Sequence, residues 1–189
     1  MRKFFIIFGI VVLAAFLAYS LWQYQKSGIA EEGIVTCANE QCFWSAHIHV
    51  AVPIKICGKE YSLEKFKGPL ADVHTHGEEN VIHWHDKLPY DPENKVFLEP
   101  TPFALGTTLE NQGILVDGDK IFGKTDGDLC GGEKSSWKVF SNGKHLSDWQ
   151  GYEWKDRDIL LFIFDARSWE ETEKELQQNP IKFPSVGEG

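Results

Sequence analysis

Residues 4–22 form an uncharged, mostly apolar run that follows Arg2 and Lys3. About 20 such residues can span the hydrocarbon core of a bilayer as a helix. Because positively charged flanks stay in the cytoplasm, the rest of the chain is predicted to lie outside it. A cleaved signal peptide is the alternative, but the run is longer than the apolar region of such a peptide, and residues 18–20 form a poor cleavage site. The pattern therefore predicts an uncleaved, single-pass transmembrane anchor at residues 1–24.

Alternation of apolar and polar positions begins at His47 and predicts a strand that continues to Ile56. A partner strand is expected at residues 61–63, beyond a short turn. A second predicted hairpin joins residues 71–76 to residues 81–86 through a four-residue turn. The domain is therefore expected to begin with two hairpins.

The second half of the domain is predicted to mix strands with one helix. Residues 103–112 have the best internal helix pattern, in which Thr107 to Glu110 resemble a capping box and Gly113 is a natural stop. Residues 159–164 are apolar at every position, which indicates a central strand covered on both faces. Further strands are predicted at residues 114–116, 120–122 and 136–141, and a surface helix at residues 168–178.

This order of elements predicts an α+β fold with a β-rich mixed sheet and one short internal helix, preceded by the transmembrane helix. A β-grasp-like arrangement would fit the same order. The predicted parts of the chain are an anchor at residues 1–24, a linker at 25–42, an extracytoplasmic His-rich β domain at 43–167, and a C-terminal helix and tail at 168–189.

The charge of the chain limits its partners. The net charge is −9 over 189 residues. Nucleic-acid binding requires clustered basic residues that neutralise phosphates, so this class of partner is not expected. The membrane and a metal ion are the predicted partners, and the sequence identifies no protein partner.

Four cysteines are compatible with export to an oxidising compartment. Their spacing favours either a Cys37–Cys42 disulfide or a bond from that segment to Cys130. Cys57 is interpreted as a small hydrophobic residue buried in a strand. The Cys37–Cys42 spacing is too long for a thioredoxin-type motif, which argues against thiol redox catalysis.

Six of the seven histidines occur as three His-x-His pairs: His47/His49, His74/His76 and His83/His85. Residues two apart in a strand point to one face, about 6.6 Å from each other. If the turn at 77–80 closes the second hairpin, His74 faces His83 and residue 72 faces residue 85. Both pairs of that hairpin and Asp72 then share one face, whereas a slip of one residue would separate them.

Clustered imidazoles of this kind favour a transition metal. Neutral imidazole is the commonest side-chain ligand for Zn and Cu, whereas Mg and Ca prefer oxygen. The six paired histidines are therefore candidate ligands for a Cu or Zn ion. Candidate ligands or acceptors for the ring N–H groups are Asp72, Glu78 and Asp86. His145 is expected to be a surface loop residue, and the alternative for the pairs is a metal-free, pH-sensitive surface.

Several short motifs along the chain resemble those of a known family. They include HIH at 47–49, VHTHG at 73–77, VIHWH at 81–85 and SNGK at 141–144. With them the chain resembles, over most of residues 46–164, an uncharacterised family of exported archaeal and bacterial proteins with HxH, LHTHD-x-x-GIIHVE and VNGK motifs. His85 stands where that pattern has a carboxylate, and Gly77 stands where it has an acidic residue. The resemblance implies a shared architecture and important histidines, but no particular reaction.

Three functions are compatible with these features. The leading hypothesis is a noncatalytic domain for copper or zinc capture, delivery or sensing outside the cell, held at the cell membrane by its anchor. The second is a metal-dependent hydrolase, in which Asp72, Glu78 or Glu79 would be the base. The third is a metal-free, β-rich interaction module whose tryptophans form core or a binding patch: Trp44, Trp84, Trp137, Trp149 and Trp154.

Overall fold

The computed structural model describes residues 33–68, 72–116 and 120–184, together with positions 12, 13, 16 and 17. The strands in this part of the chain are β1 (Ile34–Ala38), β2 (Gln41–Ala51), β3 (Ile54–Ile56), β4 (Lys59–Tyr61), β5 (His74–Thr75), β6 (Val81–Asp91), β7 (Val96–Phe97), β8 (Leu115–Val116), β9 (Lys120–Ile121), β10 (Leu129–Cys130), β11 (Glu133–Lys134), β12 (Ser136–Ser141), β13 (Lys144–His145) and β14 (Leu160–Asp165). The helices are α1 (Leu105–Asn111) and α2 (Trp169–Gln178).

The predicted anchor at residues 1–24 lies outside the described residues, apart from the four isolated positions. Among the residues that are described, no helix is both long and apolar enough to cross a membrane.

Sheet I has the strand order β1-β2-β6-β5, with β7 also paired to β6, and all its pairings are antiparallel. Its centre is the long pair of β2 and β6, which runs from Phe43 opposite Pro89 to Ala51 opposite Val81. One face of this pair contributes buried side chains such as Ile48 and Trp84 to the core. Because side chains alternate along a strand, the paired histidines lie on the other face.

Sheet II has the strand order β13-β12-β14-β3-β4 and is mixed, because β14 pairs parallel with β3 and antiparallel with β12. The predicted central strand is confirmed as β14, in which Leu160 to Phe164 are buried. The predicted strand from His47 to Ile56 is wrong in extent, since β2 ends at Ala51 and β3 belongs to the other sheet. Pro53 lies at the break, where it lacks the N–H that a continuous ladder requires.

One hydrophobic core joins the two sheets. It includes Ile82 of sheet I, Phe162 of sheet II, and Leu105 and Leu109 of α1. The other face of sheet II packs against Leu176 of α2 and the segment that follows it. The described chain is therefore β-rich with two helices and a mixed sheet, in agreement with the predicted α+β class, whereas the β-grasp-like arrangement stays a prediction.

The two helices begin in different ways. The predicted capping box at Thr107 to Glu110 is wrong, because α1 begins after Ala104, which makes no side-chain cap hydrogen bond. The Thr108 hydroxyl instead donates to the Pro102 carbonyl and accepts from Trp154 Nε1 inside the core. In contrast, the end of α1 at Gly113 is confirmed, since this glycine has a φ of 64°. Helix α2 has Ser168 as its N-cap and a complete capping box.

Two disulfides are present, Cys37–Cys42 and Cys57–Cys130. The first was one of the two predicted possibilities and closes the β1–β2 hairpin, where its cysteines are direct cross-strand partners. The interpretation of Cys57 as an unpaired hydrophobic residue is wrong, as is a bond from the Cys37 segment to Cys130. Cys57 lies in the tight β3–β4 turn, which places it beside the β10 strand that carries Cys130. The β1–β2 hairpin also lies partly within residues 25–42, which the sequence pattern assigned to a linker.

Candidate metal centre

The strand register brings all six paired histidines to one face of sheet I. His74 is the direct partner of His83, as the turn at 77–80 predicts. On the other side of β6, His47 pairs with His85 and His49 pairs with His83. Direct cross-strand partners share a face, as do residues two apart, so the three pairs converge on the central strand.

The six paired histidines divide into two groups of three. The β5 triad is His74, His76 and His85, and the β2 triad is His47, His49 and His83. Within each triad, one nitrogen from every residue lies within 4.8 Å of the other two. Catalytic Zn sites in proteins typically have three protein ligands, so each triad offers enough nitrogens to hold an ion.

The β5 triad has the geometry closest to coordination. Nε2 of His74 lies 2.9 Å from Nε2 of His76 and 3.1 Å from Nε2 of His85. Nitrogens bound tetrahedrally to one ion at about 2.0–2.1 Å would lie roughly 3.3–3.4 Å apart. Nδ1 of His74 lies 2.6 Å from the Asp72 carbonyl oxygen, which can only accept a hydrogen bond. Nδ1 therefore carries the proton, and the Nε2 lone pair faces the triad.

His83 is the most unusual member of the β2 triad. Its side chain is 3% exposed, and neither ring nitrogen has a hydrogen-bond partner. The rings of His49 and His76 lie near it, with centroids 4.6 and 4.3 Å away. A buried polar group without a partner costs about 1–3 kcal/mol, and a bound cation would remove that cost.

Glu78 completes a third group, with His76 and His83. Its Oε2 lies 3.5 Å from Nε2 of His83, yet this oxygen is buried and accepts no hydrogen bond. The pKa of Glu78 is lowered mainly by a hydrogen bond from its own backbone N–H and then by the neighbouring imidazoles. A charged carboxylate oxygen thus faces the cluster without a donor.

Burial keeps several of these imidazoles neutral. It lowers the pKa of His83 to about 4, with further contributions from His49 and His76. Partial desolvation also lowers the pKa of His49 and His74, and that of His47, where the neighbouring His49 and His85 contribute. Because only a neutral imidazole can bind a metal, these side chains need not release a proton to bind one at neutral pH.

The acidic residues predicted near the cluster have different positions. Asp72 reaches it through its carbonyl oxygen, while its carboxylate accepts from the Val73 backbone N–H and from Asn111. Asp86 follows His85 and so lies on the other face, where its carboxylate accepts from the Lys87 backbone N–H. Asp86 therefore does not take part in the cluster, because alternation along β6 turns it away.

Sequence reasoning missed Asp156. Its carboxylate accepts from the His49 backbone N–H at 2.8 Å and lies 3.8 Å from Nδ1 of His49. The adjacent Arg157 N–H donates to the His49 carbonyl at 2.7 Å, so this turn is fastened to β2. The acidic turn before β14 is visible in the sequence, but 107 residues separate Asp156 from its partner.

The cluster is accessible from solvent. An open groove of about 550 Å³ is lined by His74, His76 and Glu78, together with Phe66 and Gly68. His47 is exposed, and His76 and His85 are half-buried at the rim. A small ion can therefore reach the buried nitrogens without opening the core.

The seventh histidine lies elsewhere. His145 is on β13 rather than in a loop, and its ring stacks on Trp169 with centroids 4.8 Å apart. Among the described residues it belongs to none of the groups that could hold a metal. It therefore provides a natural control for substitutions in the cluster.

Comparison with known protein families, with curated protein sequences and with solved structures gives no match. The resemblance to exported proteins with HxH and VNGK motifs stays a prediction. The histidine cluster is therefore the feature of this chain that points to a function.

Proposed function

We propose that the protein is an extracytoplasmic transition-metal-binding protein that captures, delivers or senses Cu or Zn ions without catalysing a reaction. The observation that carries this proposal is the convergence of six imidazoles on one sheet face, among which the ring nitrogens of His83 are buried without partners beside the Glu78 carboxylate. Unpartnered buried donors are costly in a protein that has no ligand for them.

The donor set supports Cu(II) or Zn(II) in preference to other ions. It consists of imidazoles and one carboxylate, whereas Ca²⁺ and Mg²⁺ sites are built from oxygens. All four cysteines are in disulfides, so thiolate ligands are excluded. The only methionine is Met1, so a thioether site for Cu(I) is not supported either.

The proposed location is the outer face of the cell membrane. Two disulfides fit an oxidising compartment, where such bonds persist. The uncharged segment at residues 4–22 would anchor the domain, with Arg2 and Lys3 in the cytoplasm. The predicted resemblance to a family of exported proteins favours the same location.

A metal-dependent hydrolase is the second candidate, because Glu78 lines the groove beside the cluster. A carboxylate in that position could act as a general base for a metal-bound water. Glu79 is a poorer base, since its carboxylate accepts from the Ser62 hydroxyl at 2.6 Å. Hydrolysis of ester or phosphoester substrates by the metal-loaded protein, lost in Glu78→Gln, would favour this candidate over a carrier.

The proposal is tested by elemental analysis of the full chain, purified in mild detergent without a polyhistidine tag or added metal. We expect at least one equivalent of Cu or Zn, which His74→Ala combined with His83→Ala should remove. His145→Ala is the matched control and should retain the metal. The proposal fails if no metal is found and added Cu(II) or Zn(II) binds no more tightly than it binds to a control protein.

A further inference from the structure

The two triads have no residue in common, although they lie on one sheet face. Each contains three imidazoles whose donor nitrogens lie within 4.8 Å of one another. A single ion with ligand bonds of about 2.1 Å would hold all its donors within roughly 4.2 Å of each other. The donor nitrogens of all six histidines do not form a single group even when distances of up to 4.8 Å between them are allowed. The arrangement therefore suits two ions better than one ion with six ligands.

The two triads are in direct contact with each other. His76 of the β5 triad and His83 of the β2 triad stack with centroids 4.3 Å apart and an interplanar angle of 14°. Across the register, the rings of His47 and His85 are 5.3 Å apart. Two-metal sites in proteins typically hold their ions about 3.5–4 Å apart. Ring contacts between the two triads place their donor nitrogens side by side, as a two-metal site requires.

Glu78 lies where the two triads meet. It forms a metal-competent group with one residue from each triad, His76 and His83. Its Oε2 is buried and lacks a hydrogen-bond donor, which is costly for a carboxylate unless a cation balances it. A carboxylate has two oxygens, so one Glu78 side chain can contact two ions. Each ion would then have three imidazoles and one oxygen, which is the usual coordination number of Zn.

We infer that the cluster is a dinuclear centre, with one ion in each triad and Glu78 as the bridge. This inference rests on the proposed function, because it specifies the number and arrangement of the ions that the protein binds. Asp156, 3.8 Å from Nδ1 of His49, would offset part of the positive charge on the β2 side.

The test is a Cu(II) titration of the full chain in detergent, with bound Cu(II) measured by equilibrium dialysis. The wild type should bind two equivalents. His47→Ala with His49→Ala removes two ligands of the β2 triad and should leave one equivalent. His76→Ala with His85→Ala removes two ligands of the β5 triad and should also leave one. The near-UV circular dichroism spectrum of each variant should match that of the wild type if the variant is folded.

Electron paramagnetic resonance of the same samples tests the bridge. The first equivalent of Cu(II) should give a full signal, and the second should reduce the integrated signal per copper as the spins couple. Glu78→Gln should weaken binding of the second equivalent at least about tenfold, the loss typical when a group supporting a metal site is removed. Glu79→Gln changes the neighbouring exposed carboxylate and should behave as the wild type.

The outcomes separate the two proposals. One equivalent in the wild type, abolished by either double variant, would overturn the dinuclear centre and leave the proposed function standing. Two equivalents with undiminished signal and identical behaviour of Glu78→Gln and Glu79→Gln would also overturn it, since the sites would be independent. No binding above that of a control protein would overturn the proposed function itself.

Discussion

The substitution His83→Leu exchanges a buried imidazole for an apolar side chain of similar size at the centre of sheet I. In the metal-free protein both ring nitrogens are buried without hydrogen-bond partners, at an expected cost of about 1–3 kcal/mol. Leucine removes this cost and keeps most of the packing. We therefore expect His83→Leu to raise the free energy of unfolding by about 1–3 kcal/mol at pH 7.5 in EDTA, and to reduce metal binding.

The same substitution should show a characteristic pH dependence. The pKa of His83 is about 4 in the folded protein, against 6.5 for an ordinary histidine. As the pH falls below 6.5, the unfolded chain binds a proton that the folded protein does not, so the wild type loses stability until about pH 4. A difference of 2.5 pH units corresponds to about 3 kcal/mol. Leucine does not titrate, so the advantage of His83→Leu should grow by about that amount between pH 7.5 and 4.

Urea unfolding followed by tryptophan fluorescence measures both effects, with EDTA present throughout. Trp84 is the neighbour of His83 on β6 and is buried in the core, so its emission should report the transition. The reasoning would be refuted if His83→Leu were less stable than the wild type at pH 7.5 and the difference did not change on acidification. His83 would then be solvated or hydrogen-bonded in solution, and the argument for a ligand would lose its main support.

Three further predictions concern other parts of the molecule. Replacing Cys57 and Cys130 by alanine should lower the free energy of unfolding in urea by about 4 kcal/mol, whereas replacing Cys37 and Cys42 should lower it by about 2 kcal/mol. The first disulfide closes a loop with a sequence separation of 73 and the second a loop with a separation of 5, so the first restricts the unfolded chain more. Equal losses would contradict this dependence on loop length. Asp156→Asn should lower Cu(II) affinity about tenfold in a competition titration, whereas Asp86→Asn should not; equal effects would contradict a specific role of Asp156. Cu(II) at a free concentration 100 times its dissociation constant should raise the unfolding free energy by about 2.7 kcal/mol, reversibly with EDTA, and an unchanged urea midpoint would exclude binding to the folded state.

Local features of the fold were predictable from the sequence, and features that depend on distant segments were not. The β5–β6 register followed from a four-residue turn and a period of two, and the end of α1 followed from one glycine. The predicted capping box at the start of α1 was wrong because the Thr108 hydroxyl accepts a hydrogen bond from Trp154, 46 residues away, instead of capping the helix. The break at Pro53 had a local signal, but its consequence, the transfer of β3 to sheet II, required knowledge of β14.

In the candidate site, too, the local part was predictable from the sequence and the part that depends on a distant strand was not. The hairpin alone places four histidines on one face, which would suffice for a single ion. The second triad exists only because β2 pairs with β6, in a register that puts His49 opposite His83. The alternation of apolar and polar residues allows only two orientations of the β2 histidines, but it does not predict which strand pairs with β2, because several strands of this chain have suitable apolar faces. The pairing is decided by the core on the opposite side, where Ile48 and Trp84 are buried together. Packing on the apolar face thus determines which imidazoles meet on the polar face, and a substitution that shifts this register would separate the triads without changing any proposed ligand.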